Sequence, residues 1–127
     1  MTRLSGWVTS LMGDRRKMGK EIKEIEVIKQ QVLEALDELG ISPKKVILFG
    51  SMARGEATYD SDCDLLIITG EEYSGREKIK ISERIRDRLA RLHIPSDIIV
   101  SSEREVEYLK DRVGSVVREA LREGVPL

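Results

Sequence analysis

The chain has 127 residues, the length of one domain, with room for a single core and none for a separate substrate domain. Its 22 basic and 23 acidic residues nearly cancel, so no global field draws in a polyanion, and a sequence-specific nucleic acid is not an expected partner. Cys63 is the only cysteine, which excludes an intrachain disulfide and a cysteine-built zinc site and fits a reducing, cytoplasmic setting. No apolar run reaches the length of a membrane span or of a signal peptide's core. Charged residues make up 35% of the chain, Asn is absent and Gln occurs only at positions 30 and 31, a bias that fits a thermophile.

Residues 1–19 read as an N-terminal arm. Leu4, Trp7, Val8, Leu11 and Met12 fall at helical spacing, Arg15, Arg16 and Lys17 follow, and Gly19 breaks the pattern. Such a segment docks on the domain, pairs with another subunit in a homo-oligomer, or packs loosely; a loosely packed terminus is the plainest of these. Residues 20–127 read as one domain. From Lys20 to Leu39, Ile22, Ile25, Ile28, Val32, Leu36 and Leu39 step by three and four, and Gly40 supplies a helix stop. Lys45 to Phe49 reads as a buried strand ending at Gly50, Ser51 to Gly55 as a short helix, and Asp64 to Thr69 as a second strand.

Ser74 and Glu77 have capping-box spacing, and the helix they open runs to about Leu92 with Ile81, Ile85, Leu89 and Leu92 on one side. Its other faces carry Arg76, Lys78, Lys80, Arg84, Arg86, Arg88 and Arg91 among Glu77, Glu83 and Asp87, which reads as a solvated face ahead of a protein or RNA contact. His93 falls in the turn that follows and, with no second ligand at metal spacing, reads as a surface residue. Ser96 to Val100 is a third strand. A second capping box, Ser102 with Glu105, opens a final helix with Val106, Leu109, Val113, Val116, Val117, Ala120 and Leu121 inward and Gly124 at its end. The crossover helix predicts that strands two and three run parallel; the short link between strands one and two leaves their direction open.

Three pieces carry chemistry. Gly50-Ser51, between a strand and a helix, offers close backbone approach, unpaired N–H groups and a hydroxyl to a phosphate, although such a turn alone is often only a turn. Asp62 and Asp64, two apart, project to one face of an extended chain while Cys63 and Leu65 face the other way. Paired bare carboxylates repel, and a hard divalent cation, Mg²⁺ or Mn²⁺, relieves the repulsion. Asp97, before Ile98-Ile99-Val100, either completes a three-carboxylate cluster, if strand three neighbours strand two, or caps a turn. Together they compose a two-metal site for an in-line displacement on a triphosphate.

Gly50-Ser51, ten residues, then Asp62-Cys63-Asp64, with Ala53-Arg54-Gly55 between and Asp97 downstream, resembles the DNA polymerase beta nucleotidyltransferase superfamily, and the small size resembles its minimal nucleotidyltransferases, the antitoxin partners of HEPN-domain toxins. The resemblance implies an α/β fold with a small mixed three- to four-stranded sheet packed with helices. It implies that Gly50 and Ser51 hold the β- and γ-phosphates of ATP, that Asp62 and Asp64 bind two Mg²⁺ ions, and that Asp97 completes the catalytic metal site and helps take the acceptor's proton. Arg54 steadies the phosphates or braces the turn, with bracing ranked first. The implied activity is transfer of AMP to a hydroxyl, a tyrosine's, on a HEPN ribonuclease toxin. Two alternatives keep the fold: a non-catalytic antitoxin that neutralises its partner by covering it, and a small-molecule nucleotidyltransferase completed by a second domain or a dimer cleft.

Overall fold

The computed structural model describes residues 15–56 and 61–127. Helix α1 spans Arg15–Glu38, strand β1 Pro43–Phe49, strand β2 Cys63–Thr69, helix α2 Gly75–Ala90, strand β3 Ser96–Ser102, helix α3 Glu103–Leu109, helix α4 Val116–Glu123 and strand β4 Val125–Pro126. The apolar positions expected in the N-terminal arm, Leu4 to Met12, lie outside the described residues. Helix α1 runs through Gly19, where the sequence pattern predicts a break, without interruption. It ends as Gly40 predicts: Gly40 takes a positive φ of 72°, its N–H donates to the Asp37 carbonyl at 3.0 Å, and the Ile41 N–H donates to the Leu36 carbonyl at 2.9 Å. This pair of bonds satisfies carbonyls that the helix end would otherwise leave unpaired.

The four strands form one sheet in the order β3-β2-β1-β4. β1 pairs antiparallel with β2 and with β4, and β2 pairs parallel with β3, as the crossover helix α2 requires. The sheet is mixed and four-stranded, within the fold class expected.

Alternation along the strands sends side chains to two separate cores. Val46, Leu48, Cys63, Leu65, Ile67, Ile98 and Val100 point to the upper face, where Ile25, Ile28, Val32, Ala35 and Leu36 of α1 and Ile81, Ile85 and Leu89 of α2 cover them. Ile47, Phe49, Leu66 and Ile68 point to the lower face and meet Val117 and Ala120 of α4, with Ile99, Val106, Leu109 and Leu121 at the margin. Leu66 and Ile67 are adjacent in sequence and both buried, one in each core, which is why β2 reads as an unbroken apolar run. Burying a side chain of this size is worth about 1.5–3 kcal/mol.

The final helix differs from expectation. It is two helices, α3 and α4, separated by 110–115 with Gly114 at φ +86°. Ser102 caps α3 in the predicted capping box with Glu105, but Ser115 then caps α4 by accepting from the Arg118 N–H at 3.3 Å. The periodic count overran a glycine–serine stop-and-start signal. Most of the predicted inward positions still face the lower core, whereas Val113 is 88% exposed and Val116 is 46% exposed.

Candidate active site

Backbone pairing sets three strand positions side by side. Phe49 of β1 lies opposite Asp64 of β2, and Asp64 lies opposite Asp97 of β3. Asp64 shares the lower face with Phe49, Leu66 and Ile68, and Asp97 shares it with Ile99, so the two carboxylates start from neighbouring strands on one face. Asp62 stands one residue outside β2 and is exposed, as is Asp97, while Asp64 is half-buried. Cys63, between the acids, faces the opposite way as expected and is fully buried in the upper core. Burial, and to a lesser degree the charge of Asp64, push its thiol up to about 12. It is a neutral core side chain and not a nucleophile.

Gly50 follows Phe49 with φ +76°, a conformation that L side chains rarely adopt. A Cβ at this position would lie 2.1 Å from Oδ2 of Asp64 and 3.1 Å from its Cγ. The bare α-carbon therefore makes the space that the Asp64 carboxylate fills, a role for Gly50 that the sequence reading, which considered only phosphate approach, does not contain.

The segment after Gly50 corrects a second expectation. Residues 51–55 do not form a helix; they form consecutive turns. The Arg54 N–H donates to the Gly50 carbonyl at 3.2 Å, the Gly55 N–H to Met52 at 3.3 Å, and the Glu56 N–H to Ser51 at 2.9 Å. Gly55, with φ 71°, closes this one turn as Gly40 closes α1. The turn is anchored by Met52 and Ala53, which bury themselves in the upper core. Among the described residues the N–H groups of Ser51, Met52 and Ala53 donate to no carbonyl, and they follow directly on the Asp64 level of the sheet. Successive unspent N–H groups in a turn form a concavity suited to an anion.

Among the described residues no ion pair engages the acids beside it. Burial, then the charges of Asp97 and Asp62, raise the Asp64 carboxyl above its ordinary value, and the opposing pull of Arg54 is smaller. Three oxygen-donor side chains under mutual repulsion fit a hard divalent cation in their chemistry. Among the described residues no three His, Cys, Asp or Glu side chains are already gathered into a metal cluster, so a cation has to draw these carboxylates together by side-chain rotation.

Arg54 braces the turn. Its Nε–H donates to Oε2 of Glu56 at 3.1 Å, and Nη1 donates to both oxygens of Glu123 at 3.0 Å. The hydrogen bond to Glu56, then that to Glu123, raise the pKa of the guanidinium. Glu123, the last residue of α4, joins the candidate site with no signal in the sequence to mark it, because 69 residues separate it from Arg54. The basic face of α2 is partly spent in the same way: Arg84 and Arg88 pair with α1, and Lys78 pairs with Glu105, whereas Arg76, Lys80, Arg86 and Arg91 make no ion pair among the described residues.

Comparison with known proteins agrees with this geometry. A family profile described as a nucleotidyltransferase domain matches residues 29–125. No curated protein gives a significant match to the sequence. Among solved structures, a nucleotidyltransferase candidate from Sulfolobus solfataricus is 23% identical, over 89% of this chain and 86% of that one, with a TM-score of 0.58. One chain of a toxin–antitoxin complex with AMP-PNP is 15% identical, over 76% of this chain and 69% of that one, with a TM-score of 0.52. One chain of a complex between the tri-AMPylated HEPN toxin of Shewanella oneidensis and its MNT antitoxin is 11% identical, over 80% of this chain and 69% of that one, with a TM-score of 0.50. At these identities the likenesses attest the fold. The profile covers the first three strands, the turn after Gly50 and all three acids, and the chain belongs to the nucleotidyltransferase domain family.

Proposed function

We propose that this protein is a cytoplasmic, Mg²⁺-dependent nucleotidyltransferase that moves AMP from ATP to a hydroxyl, a tyrosine's, of a HEPN ribonuclease toxin, and thereby acts as its antitoxin. The observation that carries the reading is the alignment of Phe49, Asp64 and Asp97 across three strands, with Gly50 making room for the Asp64 carboxylate beside a turn whose N–H groups at 51–53 donate to no carbonyl among the described residues. The likeness to chains of complexes that contain AMP-PNP or an AMPylated HEPN toxin supports the choice of nucleotide and partner.

In this reading Gly50 and Ser51 receive the β- and γ-phosphates on the free N–H groups and the Ser51 hydroxyl. Asp62 and Asp64 hold the divalent ions, and Asp97 completes the set at the catalytic position. When bound, Mg²⁺ or Mn²⁺ supplies charge neutralisation along the triphosphate. The acceptor oxygen forms a bond to the α-phosphorus, the bond to the β-phosphate oxygen breaks, and pyrophosphate leaves with the electron pair. Asp97 takes the acceptor's proton, and Arg54 braces the phosphate turn through Glu56 and Glu123.

Intact-protein mass spectrometry of the chain with its co-purifying partner, after incubation with Mg²⁺ and each ribonucleoside triphosphate, tests the proposal. A partner mass raised by adenylate units, and unchanged with Asp62→Asn, is the expected result. A bound partner whose mass never changes overturns the catalytic reading in favour of neutralisation by covering.

A further inference from the structure

The two edges of the sheet are finished differently. β4 closes one side with two residues, one of them Pro126, which has no N–H to offer a further strand. β3 closes the other with seven residues and neither lysine nor proline among them. The parallel ladder with β2 fixes which way its backbone groups point. The Cys63 N–H donates to the Pro95 carbonyl at 2.9 Å with Cys63 level with Ser96, so positions 95, 97, 99 and 101 turn their N–H and C=O groups toward β2. Ser96, Ile98, Val100 and Ser102 turn theirs outward. The fold satisfies the last of these N–H groups, which donates to Oε1 of Glu105 at 3.0 Å. Among the described residues no hydrogen bond engages the backbone of Ser96, Ile98 or Val100 on the outer side.

Ile98 and Val100 bury their side chains in the upper core, so what they offer outward is main chain alone. On the lower face the same strand carries Asp97, which is exposed, and Ile99, which is half-buried. Residues paired across neighbouring strands project to the same face, with Cβ atoms about 4.5–5.5 Å apart. A strand laid along β3 would therefore set one side chain beside Asp97, on the side away from Asp64, and another beside Ile99.

We propose that the outer edge of β3 is the docking site of the acceptor protein, which adds an extended segment to the sheet with a hydroxyl side chain opposite Asp97 and an apolar one opposite Ile99. This rests on the reading of Asp97 as the acid that takes the acceptor's proton. An extended backbone supplies donors and acceptors at the two-residue spacing of Ser96, Ile98 and Val100, so the main chain holds the segment and the side chains facing Asp97 and Ile99 select it.

Amide hydrogen exchange, followed by NMR on the isotope-labelled chain alone and in complex with its co-purifying partner, is the test. The amides of Asp97, Ile99 and Ser101, bonded to β2, are expected to exchange slowly in both states. Those of Ser96, Ile98 and Val100 are expected to exchange fast in the free chain and about tenfold or more slower in the complex. No slowing at these positions in the complex overturns the proposal. So does slowing in the free chain that grows with its concentration, which gives the edge to a second copy. Val100→Pro removes an outward N–H and takes no bond from the ladder with β2, and it is expected to weaken partner binding about tenfold, against about twofold at most for Val100→Ala, which loses packing alone. Equal losses from the two variants overturn the proposal. Thermal melts check folding; should Val100→Pro not fold, Ser96→Pro, at the first residue of the strand, is compared with Ser96→Ala and carries the same expectation. A chain that co-purifies with no partner overturns this proposal and the antitoxin reading together. A partner that gains adenylate while the edge amides exchange freely overturns this proposal alone, and edge amides that slow beside a partner of unchanged mass overturn the catalytic reading alone.

Discussion

Over the upper face of the sheet, Arg88 of α2 reaches three acceptors on α1: Gln31 at 3.1 Å, and Glu34 and Glu38 each at 2.5 Å. At the rim of the lower face, Asp62, Asp64 and Asp97 make no ion pair among the described residues, and the pull that Asp64 feels comes from an arginine already committed to Glu56 and Glu123. The first arrangement settles its charges inside the fold and locks two helices together. The second leaves negative charge unsettled, at a cost in stability that only something from outside removes. Sites that perform chemistry tend to carry such perturbed groups, and the contrast within one small domain marks the three aspartates as the candidate site.

Removing the acid proposed as the acceptor's base should break the contrast most severely. Asp97→Ala is expected to lower transfer by about 10²–10⁴-fold while the protein stays folded and bound to its partner, as a single-turnover assay beside size-exclusion chromatography would show. Neutralisation of the partner that survives this substitution would count against catalysis.

Next comes Gly50→Ala. Its φ of +76° costs a side-chain-bearing residue about 1–2 kcal/mol, and the new methyl collides with Oδ2 of Asp64. The melting temperature should fall by several degrees and transfer should be lost with it. A variant that melts like wild type and transfers normally would mean that the Asp64 carboxylate does not need this space.

On the structural side, Arg88→Ala should cost about 1 kcal/mol, seen as a melting temperature lower by a few degrees. The difference should shrink in 1 M salt, because these partners are partly exposed and screened. Transfer by the folded fraction should be unchanged.

The smallest effect has the opposite sign. Burial, with Asp97 and Asp62, raises the Asp64 carboxyl in the folded state, so the folded protein holds that proton more tightly than the unfolded chain does. Ionised Asp64 therefore lowers stability at neutral pH, and this cost disappears as pH falls through the raised value toward the ordinary carboxylate range. Metal-free Asp64→Asn should melt slightly above wild type at pH 7, with the gap closing in acid. A variant that melts lower at pH 7 would place the carboxylate among the settled charges.

Much of the fold was legible because the local signals are strong. Ile25, Ile28, Val32 and Leu36 announce α1, Ser74 and Ser102 cap where capping boxes predict, and the apolar runs at Leu65 to Ile68 and Ile98 to Val100 announce strands. The reading failed where two local rules competed. Helical periodicity from Val106 to Leu121 was continuous enough to hide Gly114 and Ser115, and the two-residue strand Val125–Pro126 is too short to leave a pattern. The turn at 51–55 had a helix-like start but is closed after one turn by Gly55.

The sequence by itself singled out the residues proposed to carry the chemistry, as a composite of glycine, serine and aspartate that no one of its parts would mark alone, and it determined that Cys63 turns inward, since strand alternation sets it opposite to Asp62 and Asp64. Only the tertiary structure decided that Asp97 comes to the level of Asp64, because strand register is fixed by pairing between segments 33 residues apart in sequence and not by either segment alone. It also decided what Gly50 and Glu123 are for. One makes a space and the other grips a charge, and both acts require a partner that chain order keeps at a distance.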